Sequence, residues 1–158
     1  MTLILSFIGI AILVWVFAKL ARTRVQPVAH ATVAQIGAVF ESLRAAPSEP
    51  AFVVISFNTP EQPRAADAVD LQFYKESGRV GFDWALESPR NLRDEERFLS
   101  FARSAGFLPR PMETNGVRHH RVDEGDVLRL CTGVITELYG CPPQTRVDLI
   151  IEGFELKS

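Results

Sequence analysis

The spacing of hydrophobic and polar positions changes several times along the chain, and each change predicts a different element. The first eighteen residues hold no charged side chain, and Lys19, Arg22 and Arg24 follow directly. Eighteen helical residues cover roughly 27 Å, close to the hydrocarbon thickness of a bilayer. The pattern predicts a transmembrane anchor over residues 1–21 and a basic juxtamembrane linker over residues 22–29.

Two other interpretations of the first segment stay open, a cleaved signal peptide and a buried core helix. A signal peptide usually begins with basic residues, and none precedes this apolar run. Because the cationic residues follow the apolar segment, the positive-inside rule predicts that residues 30–158 face the cytoplasm. The protein is therefore expected to be single-pass in an inner or plasma membrane, with one soluble domain.

Within that domain, apolar residues three or four positions apart predict three amphipathic helices. These are His30–Ala45, a helix capped by Asn91 that ends at Gly106, and Asp126–Tyr139. Asn favours the N-cap position because its side chain accepts a hydrogen bond from a free backbone amide.

Shorter runs of β-branched and aromatic residues predict strands, at Ala51–Phe57, Val117–Val122 and Arg146–Phe154. The clearest signal is a hairpin in which two alternating runs flank Ser77-Gly78. Centring the turn there pairs Phe73 with Phe82 and places Asp83 opposite Gln72.

The predicted fold class is α+β, with a small antiparallel or mixed sheet and about three helices packed on it. The order of helices and strands, apart from the last strand, is similar to that of the type III secretion chaperone-like fold. This similarity lies in element order and carries no shared motif, so it assigns no family and no function.

Charge divides the chain in two and bears on its partners. Three of the 17 Lys and Arg residues lie before residue 25, and all 19 Asp and Glu residues lie after it, so residues 25–158 carry a net charge of −5. An acidic domain argues against nucleic acid as the main partner. Cys131 and Cys141 flank a predicted helical segment about 15 Å long, too far apart for a disulfide, and unpaired thiols suit a reducing compartment.

Candidate chemistry is sparse. Adjacent His119 and His120 on a strand point to opposite faces, so they are interpreted as structural, one half-buried and one exposed. The acidic residues Asp123, Glu124 and Asp126 are interpreted as capping the helix that follows. Cys131 is expected to be buried in the core, and Cys141 to be reachable from solvent.

Motifs for phosphate binding, zinc proteases, esterases and dithiol chemistry are absent from the sequence. No cofactor or metal site is therefore predicted, and an enzyme is not the favoured interpretation. Asp70 and Asp83 share one face of the hairpin and could act as paired carboxylates, although exposed acids on a solvated sheet face are far commoner.

The leading functional hypothesis is a membrane-anchored cytoplasmic protein-interaction module, either an adaptor or chaperone-like. Two faces could bind a protein partner, and the loop Asn58–Ala68 is a third candidate. The first face comprises Asp70, Gln72, Tyr74 and Asp83, and the second is a cationic stripe of Arg90, Arg93 and Arg97. The alternatives are an enzyme or small-ligand sensor whose site is assembled across the fold, and a structural part of a membrane complex.

Overall fold

The part of the chain that is described forms seven strands and four α-helices. The computed structural model describes residues 29–60, 67–114 and 116–156. The strands are β1 (Ala29–Thr32), β2 (Ala51–Phe57), β3 (Val69–Glu76), β4 (Arg79–Ala85), β5 (Arg110–Thr114), β6 (Val117–Val122) and β7 (Arg146–Glu152). The helices are α1 (Ile36–Arg44), α2 (Pro89–Arg93), α3 (Glu95–Ser104) and α4 (Val127–Gly133). A 3₁₀ turn (Val33–Gln35) precedes α1, and a π-helical turn (Val134–Leu138) continues α4.

The strands make one antiparallel sheet in the order β1-β7-β2-β3-β4-β6-β5. Strands that follow one another in the chain pair with each other at β2–β3, β3–β4 and β5–β6. The last strand, β7, returns toward the opposite edge of the sheet and lies between β1 and β2.

The β3–β4 hairpin has the predicted register. Phe73 pairs with Phe82, and Gln72 pairs with Asp83. Ser77 and Gly78 have φ angles of 53° and 73°, as a two-residue turn with both central residues in the left-handed region requires. The hairpin prediction is confirmed.

One face of the sheet and the helices enclose the hydrophobic core. The side chains of Phe73, Phe82 and Trp84 point to this face because alternate residues of a strand share a side. The Trp84 ring stacks on Phe98 of α3 with ring centroids 4.4 Å apart. We call the opposite face, which carries Gln72 and Asp83 and no helix of the described residues, the open face of the sheet.

The predicted fold class is wrong in three respects. The sheet has seven strands rather than being small, and four α-helices accompany it rather than about three. Of the two predicted arrangements, antiparallel or mixed, the sheet has the antiparallel one. In addition, no helix within residues 29–60, 67–114 and 116–156 is long and apolar enough to cross a bilayer. The predicted anchor over residues 1–21 and nearly all of the predicted linker lie outside the described residues.

Two helix predictions are wrong at their N-terminal ends. The segment predicted as a helix from His30 begins as strand β1, which pairs with β7 through contacts remote in sequence. Asn91 does not cap its helix, because Ser88 caps α2 and accepts a hydrogen bond from the Asn91 amide at 3.0 Å. The chain then breaks its helical path at Asp94, which separates α2 from α3.

Candidate functional site

A cavity of about 510 Å³ lies on the open face and is lined by residues of strands and turns. Its apolar lining includes Phe52, Ala85, Met112 and Val117. Phe52 and Ala85 are buried although they do not belong to the core beneath the helices. The open face therefore has a small apolar surface of its own.

The polar lining follows from the pairing of the strands. Gln72 of β3 pairs with Asp83 of β4, and Asp83 pairs with Arg121 of β6. Two residues further along β4, Ala85 pairs with His119, which pairs with Met112 of β5. Paired residues share a face, so these side chains meet on the cavity side of the sheet.

Asp83 and Arg121 form a buried, two-pronged ion pair. The Nε and Nη2 atoms of Arg121 donate to the two Asp83 carboxylate oxygens at 2.9 and 2.8 Å. The side chain of Asp83 is only 7% exposed. Burial alone lowers the pKa of the Arg121 guanidinium, but the hydrogen bond and charge of Asp83 outweigh it, so the pKa is raised. The arginine stays cationic at every physiological pH.

Tyr74 packs against the Arg121 side of this ion pair. Its ring lies 4.0 Å from the Arg121 guanidinium, a cation–π contact, and its hydroxyl donates to Asp123. Burial, and then the bond to Asp123, raise the pKa of Tyr74. Asp123 also accepts a hydrogen bond from Arg110. Burial by itself raises the pKa of Asp123, but the hydrogen bonds from Tyr74 and Arg110 outweigh it, so the pKa is lowered.

Gly81 makes room for the Tyr74 ring. A Cβ atom at position 81 would overlap the hydroxyl oxygen and ring carbons of Tyr74, closer than atoms that are not bonded to each other can approach. Tyr74 and Gly81 pair across β3 and β4. The ring can therefore lie across the neighbouring strand only because that strand has no side chain there.

His119 lines the cavity, and one of its ring nitrogens, Nε2, has no hydrogen-bond partner among the described residues. Its Nδ1 is 3.3 Å from the Val117 carbonyl oxygen, which can only accept, so Nδ1 carries the hydrogen. Its Nε2 is buried, makes no hydrogen bond within the described residues and lies 3.8 Å from the Asp83 carboxylate. In the neutral ring, Nε2 and Asp83 are two acceptors that face each other.

The rim of the cavity carries further charges. Lys75 donates to the Ala46 carbonyl at 2.6 Å, and its ammonium lies 3.9 Å from Glu49. Glu49 in turn accepts from the Gly78 amide in the hairpin turn at 2.9 Å. These contacts hold the segment before β2 against the end of the hairpin.

The first predicted face is brought together in part at this cavity. Gln72, Tyr74 and Asp83 line the cavity, whereas Asp70 lies outside its lining and accepts from Ser56. Asp83 is not an exposed acid on a solvated face, because Arg121 and the surrounding strands bury it. Asp70 and Asp83 thus hold separate partners rather than forming a carboxylate pair.

The arginines of the second predicted face belong to two helices and have partners of their own. Arg90 is buried and donates to Asp94 at 2.5 Å, with its guanidinium 5.3 Å from the Tyr139 ring centroid. Arg97 lies over the same ring and donates to the Leu138 carbonyl. Arg93 lies 3.5 Å from Asp67. A role for this group in partner binding stays a prediction.

The structure corrects two predictions about burial. His119 and His120 do lie on opposite faces, but both are buried, and His120 bonds Glu95 at 2.7 Å. Cys141 is buried rather than reachable, whereas Cys131 is buried as expected, and burial raises the pKa of both thiols.

Of the three acids near Gly125, Asp126 caps α4 by accepting from the Arg129 amide at 3.0 Å. Asp123 binds Tyr74 and Arg110 instead of the helix. Within the described residues, no group of three His, Cys, Asp or Glu side chains is placed to hold a metal ion.

Comparisons with known proteins give this chain no relative: no protein-family model, curated protein or solved structure matches it. The similarity in element order to the type III secretion chaperone-like fold finds no support there.

Sequence reasoning missed the part of the cavity wall that β6 contributes. His119 and Arg121 occupy positions i and i+2 of one predicted strand, so the sequence placed them on one face. Nothing local showed that this strand pairs with β4 rather than with another strand. That pairing alone sets Arg121 against Asp83.

Proposed function

We propose that this protein binds a small molecule in the cavity on the open face of its sheet. The observation that carries the proposal is a buried polar cluster beside an apolar floor, on a sheet face that no helix covers in the part of the chain that the structure describes. Small-molecule sites are commonly concave, mostly apolar and furnished with a few fixed polar groups. The cavity volume of about 510 Å³ lies within the range of such sites.

The rigidity of the wall supports the same function. Arg121 donates hydrogen bonds to Asp83 and lies over the ring of Tyr74. The hydroxyl of Tyr74 in turn donates to Asp123. A wall whose side chains are already ordered loses little conformational entropy when a ligand arrives. A solvated sheet face needs no such arrangement.

Binding of an apolar fluorescent probe tests the proposal. We expect 1-methylnaphthalene to bind the full-length protein and to raise its melting temperature. At a hundred times its dissociation constant a ligand stabilises by about 2.7 kcal/mol, which moves the midpoint by several degrees.

A matched pair of variants locates the binding. Val117→Trp fills the cavity, whereas Ile150→Trp adds the same bulk to the open face on β7, outside the cavity lining. Binding should be lost in the first variant and kept in the second. Equal binding by both variants, or no binding by the parent protein, would rule the proposed site out.

The protein-interaction function stays a prediction beside this proposal. Its residues Gln72, Tyr74 and Asp83 coincide with the cavity wall, so one set of variants examines both functions. A protein partner captured from solubilised membranes by the parent chain and by Val117→Trp alike would favour an interaction surface elsewhere.

A further inference from the structure

The cavity wall also indicates which chemical class of ligand it accepts, an inference that rests on the proposed function. Its buried charges are already matched by one another. The Asp83 carboxylate takes two hydrogen bonds from Arg121, and Lys75 is held by Ala46 and Glu49. An ionic ligand would have to break one of these pairs or remain unpaired, and either is costly in a buried site. A neutral ligand has neither cost.

The apolar lining sets the body of that ligand. Phe52, Ala85, Met112 and Val117 offer carbon surface and no hydrogen-bonding side chain. A flat hydrocarbon framework gains most from such a surface, because its burial removes apolar area from water and loses no hydrogen bond.

His119 and Asp83 determine which polar group the ligand must carry. In the neutral imidazole, whose hydrogen is on Nδ1, the Nε2 of His119 is an acceptor that lies 3.8 Å from the carboxylate oxygen Oδ1 of Asp83 and has no donor among the described residues. A buried acceptor without a donor is costly. A ligand atom about 2.9 Å from each would satisfy both, provided that it carries two hydrogens. An amino group does, a hydroxyl carries only one, and an ether carries none.

We infer that the ligand is a neutral, flat, mostly apolar molecule whose NH₂ group donates one hydrogen bond to His119 and one to Asp83. An aromatic amine or a carboxamide on a ring has this chemistry. The imidazole of His119 and the carboxylate of Asp83 both line the cavity.

Three probes of one shape test this inference. These are 1-naphthylamine, which is neutral at pH 7, 1-naphthol and 1-methylnaphthalene. We expect the amine to bind about tenfold or more tightly than the methyl compound, since a hydrogen bond to a buried or charged acceptor contributes that much. The naphthol, with one hydrogen to donate, should fall between them.

His119→Phe should remove the advantage of the amine over the naphthol, because the Asp83 carboxylate alone is then left to accept a hydrogen bond from either probe. His30→Phe is the matched control, because His30 pairs with Asp148 at the far side of the sheet and is not part of the cavity. The preference should survive there unchanged.

A measurement on the unaltered protein removes any dependence on how His119→Phe folds. Imidazole ¹⁵N spectra resolve three histidines in this chain. The Nε2 signal of His119 should move with 1-naphthylamine and stay in place with 1-methylnaphthalene. Equal affinities for the three probes, or a signal that ignores the amine, would overturn the inference while leaving the proposed function intact. Absence of binding by every probe would overturn both.

Discussion

Single polar side chains hold distant parts of this fold together, and Asn91 is the clearest case. Asn91 is fully buried, and its side-chain nitrogen Nδ2 donates hydrogen bonds to the backbone carbonyls of Asp70 and Ala85 at 2.6 and 2.9 Å. Its side-chain oxygen accepts from the Asp70 amide and from Ser88. One residue of α2 therefore satisfies backbone groups at the start of β3 and the end of β4.

Asn91→Ala is expected to lower the free energy of unfolding by about 3 kcal/mol, because several buried backbone groups lose their partner together. Urea denaturation measures the change. Leu92→Ala, at an adjacent residue with 44% of its surface exposed, should change stability by less than about 1 kcal/mol. Equal losses in the two variants would contradict the bridging role.

The two tyrosines predict how the protein responds to alkali. Burial and a hydrogen bond to a carboxylate raise the pKa of both, through Asp123 for Tyr74 and Asp94 for Tyr139. The folded protein therefore holds both phenolic protons more tightly than the unfolded chain, whose tyrosines ionise near pH 10. The resulting stability is present in full below pH 10 and is lost as the pH rises.

Absorbance of the phenolate near 295 nm should accordingly stay flat through pH 10 and rise only when circular dichroism reports unfolding. Since the chain has two tyrosines, Tyr139→Phe isolates Tyr74. Ionisation of a tyrosine near pH 10 in the folded protein would show that the phenol is not held as described.

At the scale of elements, the β3–β4 hairpin connects the core to the cavity. Its one face contributes Phe73, Phe82 and Trp84 to the core, and its other face contributes Gln72 and Asp83 to the cavity. The turn sets the register that sorts them, since a shift of one residue would exchange the two sets.

Gly81→Ala tests the close contact between these two strands. The added methyl group would overlap the Tyr74 ring, so we expect a loss of about 1–3 kcal/mol and weaker binding of the naphthyl probes. Gly37→Ala is the matched control, because nothing lies within 4 Å of the new Cβ in α1. Removing a helical glycine there should stabilise by about 0.5–1 kcal/mol. Thermal and urea unfolding measure both variants.

For the whole molecule, the sheet separates stability from binding. The helices and the core lie on one face, and the cavity lies on the other. Neighbouring residues of a strand therefore contribute to different properties of the protein.

Leu71 and Gln72 test this division because they are adjacent in β3 and face opposite sides. Leu71→Ala should cost about 2–5 kcal/mol, since the residue is fully buried in the core, and should leave probe affinity unchanged while the protein is folded. Gln72→Ala should cost less than about 1 kcal/mol and change probe affinity severalfold. A calorimetric titration of each folded variant decides the matter; parallel effects on both properties would contradict the division.

The sequence by itself determined the features that depend on near neighbours. The alternation around Ser77-Gly78 predicted the hairpin and its register, because the turn and the period of two leave one arrangement that buries the apolar side. The same alternation placed Gln72, Tyr74 and Asp83 on one face, and the helical spacing of apolar residues over Asp126–Tyr139 placed Cys131 in the core.

Only the tertiary structure decided the features that depend on remote pairing. Strand β1 exists because β7 returns beside it, and Asp83 is buried because β6 brings Arg121 to it. The helical periodicity after His30 predicted α1 but not strand β1 before it, and the alternation around Asp83 did not show that this residue is buried. A local pattern cannot show which strand becomes the neighbour. The cavity, assembled from five strands and the turns between them, is a consequence of that choice.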